Sequence, residues 1–119
     1  MFNPLSEWNL TITLTASDID VSNPITIPKE LVEAKIFPRW GKIRCEAMQE
    51  PDSFVMVNLY CHHSNGTKGV AMKKDEHGNF KLYGWHSVLE GRSIKTGDVI
   101  GFWWDKYSGR LNLELLVIA

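Results

Sequence analysis

The stretch YGWHSVLEGRSIKTGDVIGFWW, residues 83–104, contains three of the five tryptophans of this 119-residue sequence. A tryptophan side chain is large and apolar but carries an N–H group, so it is costly to leave in water and usually packs in a core or at its rim. Gly84 and the pair Gly97-Asp98 interrupt the apolar residues and indicate turns. We therefore expect a strand end, a short helix and a new strand here, which together hold a small core.

Strand-like segments recur on both sides of this stretch. In residues 10–15 leucine and isoleucine alternate with threonine, which is typical of a half-buried strand. A helix is predicted at residues 29–37, between Pro28 and Pro38, and a helix of one or two turns follows Trp85. Further strands are predicted at residues 25–28, 42–48, 53–61, 68–74, 80–85, 99–104 and 111–119.

The regular spacing of these segments predicts a mostly β domain. Turn signals such as Asn65-Gly66 recur about every ten residues. About seven strands and two short helices at this spacing favour a mostly antiparallel barrel or sandwich whose ends are plugged by the helices.

The composition is typical of an ordinary folded domain. Hydrophobic residues make up 44% and charged residues 23%, and the formal net charge is -1, so overall charge favours neither nucleic acid nor a membrane as partner. No apolar run approaches the ~18 residues that a membrane-spanning helix needs. Cys45 and Cys61 are too few for a disulfide framework, and they predict reduced thiols in a cytosolic or nuclear protein.

The run Cys61-His62-His63 contains residue types that can bind zinc or act as a nucleophile and base. Neighbouring residues on a strand point to opposite faces, so Cys61 and His62 are expected to diverge. The sequence also lacks the common glycine-rich phosphate loops and the nucleophile elbow. We predict no metal, no cofactor, no small-molecule substrate and no enzymatic activity.

Five short motifs, taken in order, resemble the plant-specific B3 DNA-binding domain in a short, divergent version. The resemblance covers residues 10–115, and it implies a seven-stranded open β-barrel, a DNA-binding pseudobarrel, with two short α-helices. It also implies a domain at residues 10–119 preceded by an extension at residues 1–9. The motifs are Ser17-Asp18, Ile27-Pro28-Lys29, Phe37-Pro38, Gly84-Trp85 and Gly97-Asp98.

The resemblance implies sequence-specific binding of double-stranded DNA by a nuclear transcription factor. Two projections, residues 17–23 and 73–79, are expected to enter the major groove, while the tryptophan-rich stretch holds the base of the second projection. Lysines would meet phosphates, and amide, hydroxyl and imidazole groups would meet base edges. The predicted DNA-binding residues are Ser17, Asp20, Ser22, Asn23, Lys29, Lys68, Lys73, Lys74, His77 and Asn79.

An alternative function follows from the acidic side chains on the two projections, Asp18, Asp20, Asp75 and Glu76. Carboxylates usually repel the phosphate backbone, so the chain could be a protein-interaction module on a B3-like fold that no longer binds DNA strongly. The apolar residues 111–119 either pair with the strand edge of a protein partner or form a strand inside the barrel.

Overall fold

A computed structural model describes residues 9–50, 52–89 and 93–118 of the chain. It contains seven strands: β1 (Asn9–Thr13), β2 (Ile25–Ile27), β3 (Val55–Cys61), β4 (Gly66–Lys74), β5 (Phe80–Tyr83), β6 (Val99–Asp105) and β7 (Arg110–Val117). It also contains two α-helices, α1 (Lys29–Lys35) and α2 (Lys42–Gln49), and two 3-10 helices, Phe37–Arg39 and Trp85–Leu89. The expected extension at residues 1–9 lies outside the described residues except for Asn9, where β1 begins.

The strands form one sheet in the order β1-β6-β7-β3-β4-β5-β2. Every pairing is antiparallel except that of β3 with β7, which is parallel. The sheet curls into a nearly closed barrel, which the residue pattern allowed and the resemblance implied. Because β1 and β2 lie at the two opposite edges, the first loop, residues 14–24, crosses the opening of the barrel. The second loop, residues 75–79, joins β4 to β5.

The core follows from the alternation of side chains along each strand. On β2 and β5 the inward residues are fully buried, while Thr26 and Lys81 between them face outward. The helices close the barrel with Val32 of α1 and Met48 of α2. The largest fully buried side chains include Trp85, Phe80, Phe102, Leu10, Leu14 and Ile25.

The prediction of a strand at residues 42–48 is wrong, because this segment forms helix α2. The alternating pattern places Ile43 inside, but its side chain is 84% exposed. Most residues of the segment are good helix formers, and one helical face packs inward. Met48 is buried there, and the Arg44 guanidinium lies 5.0 Å from the centre of the Trp104 ring.

The three tryptophans of the opening stretch have different environments. Trp85 is fully buried directly after Gly84, whose φ of 82° is a left-handed conformation that favours glycine. Trp104 is also buried and meets Trp40 edge-on, with ring centres 5.6 Å apart. Trp103 lies on the outer face and stacks on His62 at 5.0 Å. The expectation of core and rim packing is confirmed.

The Cys61-His62-His63 run diverges as expected. Cys61 is buried, whereas His62 packs outside against Trp103 and Tyr60. Both thiols are free, and burial raises the pKa of Cys45. Within residues 9–50, 52–89 and 93–118 there is no cluster of three potential metal ligands. None of the helices described there is long and apolar enough to cross a membrane.

The C-terminal apolar segment forms a strand inside the sheet. β7 pairs with β6 along its length and with β3 over residues 110–113. Of the two interpretations of residues 111–119, the one that places a strand inside the barrel is therefore confirmed.

Replacing Trp85 with alanine should lower the free energy of unfolding by about 3–5 kcal/mol, because the whole ring is buried. Denaturant unfolding measures the change. Tyr107→Ala is the matched control: its ring is 90% exposed, so the change should stay within about 0.5 kcal/mol. A decrease below about 1 kcal/mol for Trp85→Ala would contradict the packing described here.

Candidate nucleic-acid interface

The first loop is fixed at its base by residues far away in the sequence. The Leu14 N–H donates to the carbonyl oxygen of Asp98 at 2.8 Å, and the Gly97 N–H donates to the carbonyl oxygen of Leu14 at 2.9 Å. Further along the loop, His86 Nε2 donates to the carbonyl oxygen of Asp18 at 2.8 Å. The tryptophan-rich stretch therefore anchors the first loop, whereas the sequence suggested only that it holds the second.

Side chains of the first loop bond mainly to one another. Asp18 Oδ2 accepts hydrogen bonds from the N–H and the hydroxyl of Thr15, at 2.9 and 3.0 Å. Asp20 Oδ1 accepts from the N–H and the hydroxyl of Ser22, at 3.0 and 2.7 Å. Asn23 Nδ2 donates to the carbonyl oxygen and the hydroxyl of Ser17. These bonds give the loop one defined shape.

The second loop is a tight turn organised by a single carboxylate. Asp75 Oδ1 accepts from the backbone N–H groups of His77 and Asn79, both at 2.9 Å. Asn79 Oδ1 in turn accepts from the N–H of Lys29 at 3.0 Å, which ties the loop to the start of α1. Asn79 therefore offers a ligand mainly its Nδ2 group, since its Oδ1 is already engaged.

Three of the four acidic side chains on the loops thus have a structural role. Asp18, Asp20 and Asp75 accept hydrogen bonds from N–H groups of their own loop, a local interaction typical of aspartate in turns. The hydrogen bonds that the hydroxyl and N–H of Ser22 donate to Asp20 lower the pKa of Asp20. Glu76 differs, because its exposed carboxylate lies 3.4 Å from the exposed imidazole of His77.

A basic row crosses the outer face of the sheet beside the second loop. Lys73 of β4 lies directly opposite Lys81 of β5, which lies opposite Thr26 of β2. Like charges at opposite positions of two strands are unfavourable. In the part of the chain that the structure describes, no carboxylate is within salt-bridge distance of either lysine. Lys81 was not among the predicted DNA-binding residues, because only the strand register brings it next to Lys73.

The other predicted lysines are placed differently. Lys74 Nζ donates to Gln49 Oε1 at 3.2 Å, and the aliphatic part of Lys29 packs near Gly78 of the second loop. Lys68 lies five residues before Lys73 on β4, on the order of 17 Å away, beside Ser64 and Val88. The structure therefore brings Lys29, Lys73 and Lys74 to the second loop but leaves Lys68 apart.

A cleft of about 430 Å³ separates the two sheet edges below the first loop. Its walls come from β1, the first loop, β2 and the start of α1, and they carry many threonine hydroxyls. Pro28, in one wall, directly precedes Lys29, and Thr26 continues into the basic row. One surface therefore runs from the first loop to the second. The lining residues are Thr11, Ile12, Thr13, Thr15, Ser17, Asp18, Thr26, Pro28 and Leu31.

A second cleft of about 570 Å³ lies on the far side of the second loop. It joins Lys73 and Lys81 to the half-exposed ring of Tyr83. Its rim carries carboxylates on both sides, from Glu50, Asp52, Asp75 and Glu76. The basic row is thus bordered by negative charge on this side and by threonines on the other.

The fold and the two loops define a B3-type pseudobarrel. The family model described as B3 domain-containing protein At5g26805, C-terminal domain, matches residues 8–116. The chain therefore belongs to the family of this B3 C-terminal domain, and the resemblance found in the sequence is confirmed.

Solved structures share the fold at low sequence identity. The Arabidopsis FUS3-DNA complex matches with a TM-score of 0.70 and 13% identity, over 92% of this chain and 97% of that one. The N-terminal domain of Helicobacter pylori LlaJI.R1 matches with a TM-score of 0.58 and 15% identity, over 93% of this chain and 88% of that one. The hypothetical Arabidopsis thaliana protein At1g16640.1 matches with a TM-score of 0.53 and 16% identity, over 94% of each chain.

Asn79→Ala should lower the free energy of unfolding by about 0.5–1.5 kcal/mol, because the N–H of Lys29 loses its acceptor. His77→Ala is the control in the same loop. It keeps the backbone bond to Asp75 and should change stability by less than about 0.5 kcal/mol. Equal effects of the two substitutions in thermal or denaturant unfolding would contradict the link between the second loop and α1.

The carboxyl group of Asp20 should titrate below its ordinary pKa of 3.8 in the folded protein. The charged form is favoured by the Ser22 hydroxyl and N–H, so this contribution to stability is present above pH 3.8 and is lost as pH falls through the lowered pKa. Carbon-detected NMR measures the titration. Ser22→Ala should raise the pKa toward 3.8, whereas Ser53→Ala, which removes a hydroxyl bonded to Ala47 and Glu50 instead, should not.

Proposed function

We propose that this domain binds double-stranded DNA sequence-specifically, as the DNA-binding part of a nuclear transcription factor, and that it does so without catalysis. The observation that carries the proposal is the continuous surface between the two loops. It combines the threonine-lined cleft with the row of Thr26, Lys81 and Lys73. Among the described residues neither lysine has a carboxylate within salt-bridge distance, and lysines beside hydroxyl groups suit a ligand with regularly spaced phosphates.

The preformed loops support insertion into the major groove. Each loop is held by its own hydrogen bonds and by a distant anchor, His86 for the first and the N–H of Lys29 for the second. A loop that is already ordered loses little conformational entropy on binding. The fold comparison adds support, since the FUS3 structure is described as a complex with DNA.

The proposed contacts divide into two kinds. Lys73, Lys74 and Lys81 neutralise phosphates, and their contribution is independent of sequence. Base edges are reached by groups of the two loops that internal bonds leave available. These include the Oδ1 of Asn23 and the Nδ2 of Asn79, an acceptor and a donor suited to major-groove edges.

A protein-interaction module is the second candidate, and one observation favours it. Met56, Ala71 and Tyr83 occupy adjoining positions across β3, β4 and β5 on the outer face. Met56 is 55% exposed and the neighbouring Phe54 is 58% exposed. Exposed apolar side chains grouped in this way are typical of protein contacts. If the domain bound no duplex at low salt, protein interaction would be the remaining candidate function.

Replacing Lys73 and Lys81 together with alanine should weaken binding to all duplex sequences to a similar extent. The slope of log affinity against log salt concentration should become shallower by up to about 1.8, at about 0.9 for each phosphate that is no longer neutralised. Fluorescence anisotropy with a selected site and a scrambled duplex, at several salt concentrations, measures the slope.

The control removes the same amount of charge elsewhere. Lys42→Ala with Lys106→Ala affects a lysine paired with Glu46 on α2 and a lysine beside Tyr107 in the β6–β7 turn. This variant should keep the slope of the wild type. A slope that falls equally in both variants would show only a general charge effect and would refute the proposed phosphate contacts.

A further inference from the structure

The first loop exposes one large apolar side chain, and the neighbouring hydrogen-bond donors are engaged within the loop. Val21 is 81% exposed, between Asp20 and Ser22. The hydroxyl and N–H of Ser22 both donate to Asp20 Oδ1, and Asn23 donates its Nδ2 to Ser17. These donor groups of Ser22 and Asn23 are therefore engaged within the loop, while the isopropyl group of Val21 is exposed to solvent.

The backbone that carries Val21 is held on both sides. Before it, the carbonyl oxygen of Asp18 accepts from His86, and Ile19 packs against the core. After it, the Asn23 N–H donates to the carbonyl oxygen of Asp20 at 2.9 Å. Single exposed valines are common on protein surfaces. This one differs because it sits on a loop that is fixed at both ends and whose neighbouring donor groups, on Ser22 and Asn23, have internal partners.

The major groove offers one apolar feature that such a side chain can recognise. Position 5 of a pyrimidine projects into the groove, and in thymine it carries a methyl group. We propose that Val21 reads this 5-methyl group, so that the first loop selects a 5-methylpyrimidine at one position of the DNA site. The inference rests on the proposed function, because it needs the first loop to lie in the groove.

The test begins with duplexes selected from a random pool by the wild-type protein. Each thymine of the selected site is replaced in turn by deoxyuridine, which lacks only the methyl group. At the position facing Val21 this change should weaken binding about fourfold, the factor expected for one methyl-sized apolar contact. In Val21→Ala the same change should have little effect, because the shorter side chain no longer reaches the methyl group.

A second set of duplexes separates the two sources of a 5-methyl group. Each cytosine of the site is replaced in turn by 5-methylcytosine. If Val21 faces a cytosine, methylation there should strengthen binding about fourfold in the wild type and not in Val21→Ala. If Val21→Ala abolishes a methyl effect in the thymine set, the ligand is thymine. If it abolishes a methyl effect in the cytosine set, the ligand is methylated cytosine.

Two control variants make the result specific. Val21→Thr replaces one methyl of the side chain by a hydroxyl of similar size and should reduce the effect of the 5-methyl group on affinity. Val117→Ala shortens a 53% exposed valine at the end of β7 and should leave that effect unchanged. Thermal unfolding of all three variants should match the wild type, since both valines are exposed.

The outcomes separate this inference from the proposed function. If the wild type selects and binds a duplex, but Val21→Ala cancels no methyl effect in either set, the inference is refuted and DNA binding stands. If the wild type binds no duplex at low salt, the proposed function fails and the inference fails with it.

Discussion

The parallel pairing of β3 with β7 holds the two halves of the sheet together. On one side of it lie β1 and β6, and on the other lie β4, β5 and β2. Residues 58–61 pair with residues 110–113 across this junction, and every other pairing lies within one half. The junction sets the distance between the two outer edges, β1 and β2. The gap that the first loop spans between those edges therefore depends on this junction.

The two loops gain their shape by the same means. In each, an aspartate accepts hydrogen bonds from nearby backbone N–H groups, and a side chain or backbone group from a distant element fixes the loop from outside. The acidic residues look unfavourable for a DNA-binding surface when only their charge is counted. Their hydrogen bonds show that three of the four build the turns, which gives these residues a structural role although their negative charge remains.

Much of the fold could be predicted because it depends on local patterns. The alternation in β1, the strand-forming residues of β3 and the helix bounded by prolines at α1 needed no knowledge of the partners. The segment of α2 was predicted wrongly because Ile43, Cys45 and Ala47 alternate by chance, and its helical face is recognisable only beside Trp104.

The site was less predictable because its contacts join distant residues. His86 and Asp18 are 68 positions apart, and Lys29 and Asn79 are 50 apart. Lys81 belongs to the site because the register of β4 and β5 places it opposite Lys73. Lys68 lies five residues before Lys73 on β4 and is therefore far from the site. The threonines of β1 were predicted to face away from the core, but their place in a cleft depends on β2 approaching from the other edge.

The junction between β3 and β7 also bears on how the chain reaches its native state. β7 is the last strand along the described sequence, yet it lies inside the sheet, between β6 and the central strand β3. Pairing between residues about 50 positions apart requires closing a long loop, which slows folding. During synthesis on a ribosome, β3, β4 and β5 emerge before β7, and one edge of β3 has no partner until then. We therefore expect the barrel to close only after β7 has emerged, with one edge of β3 open to misassociation until β7 docks.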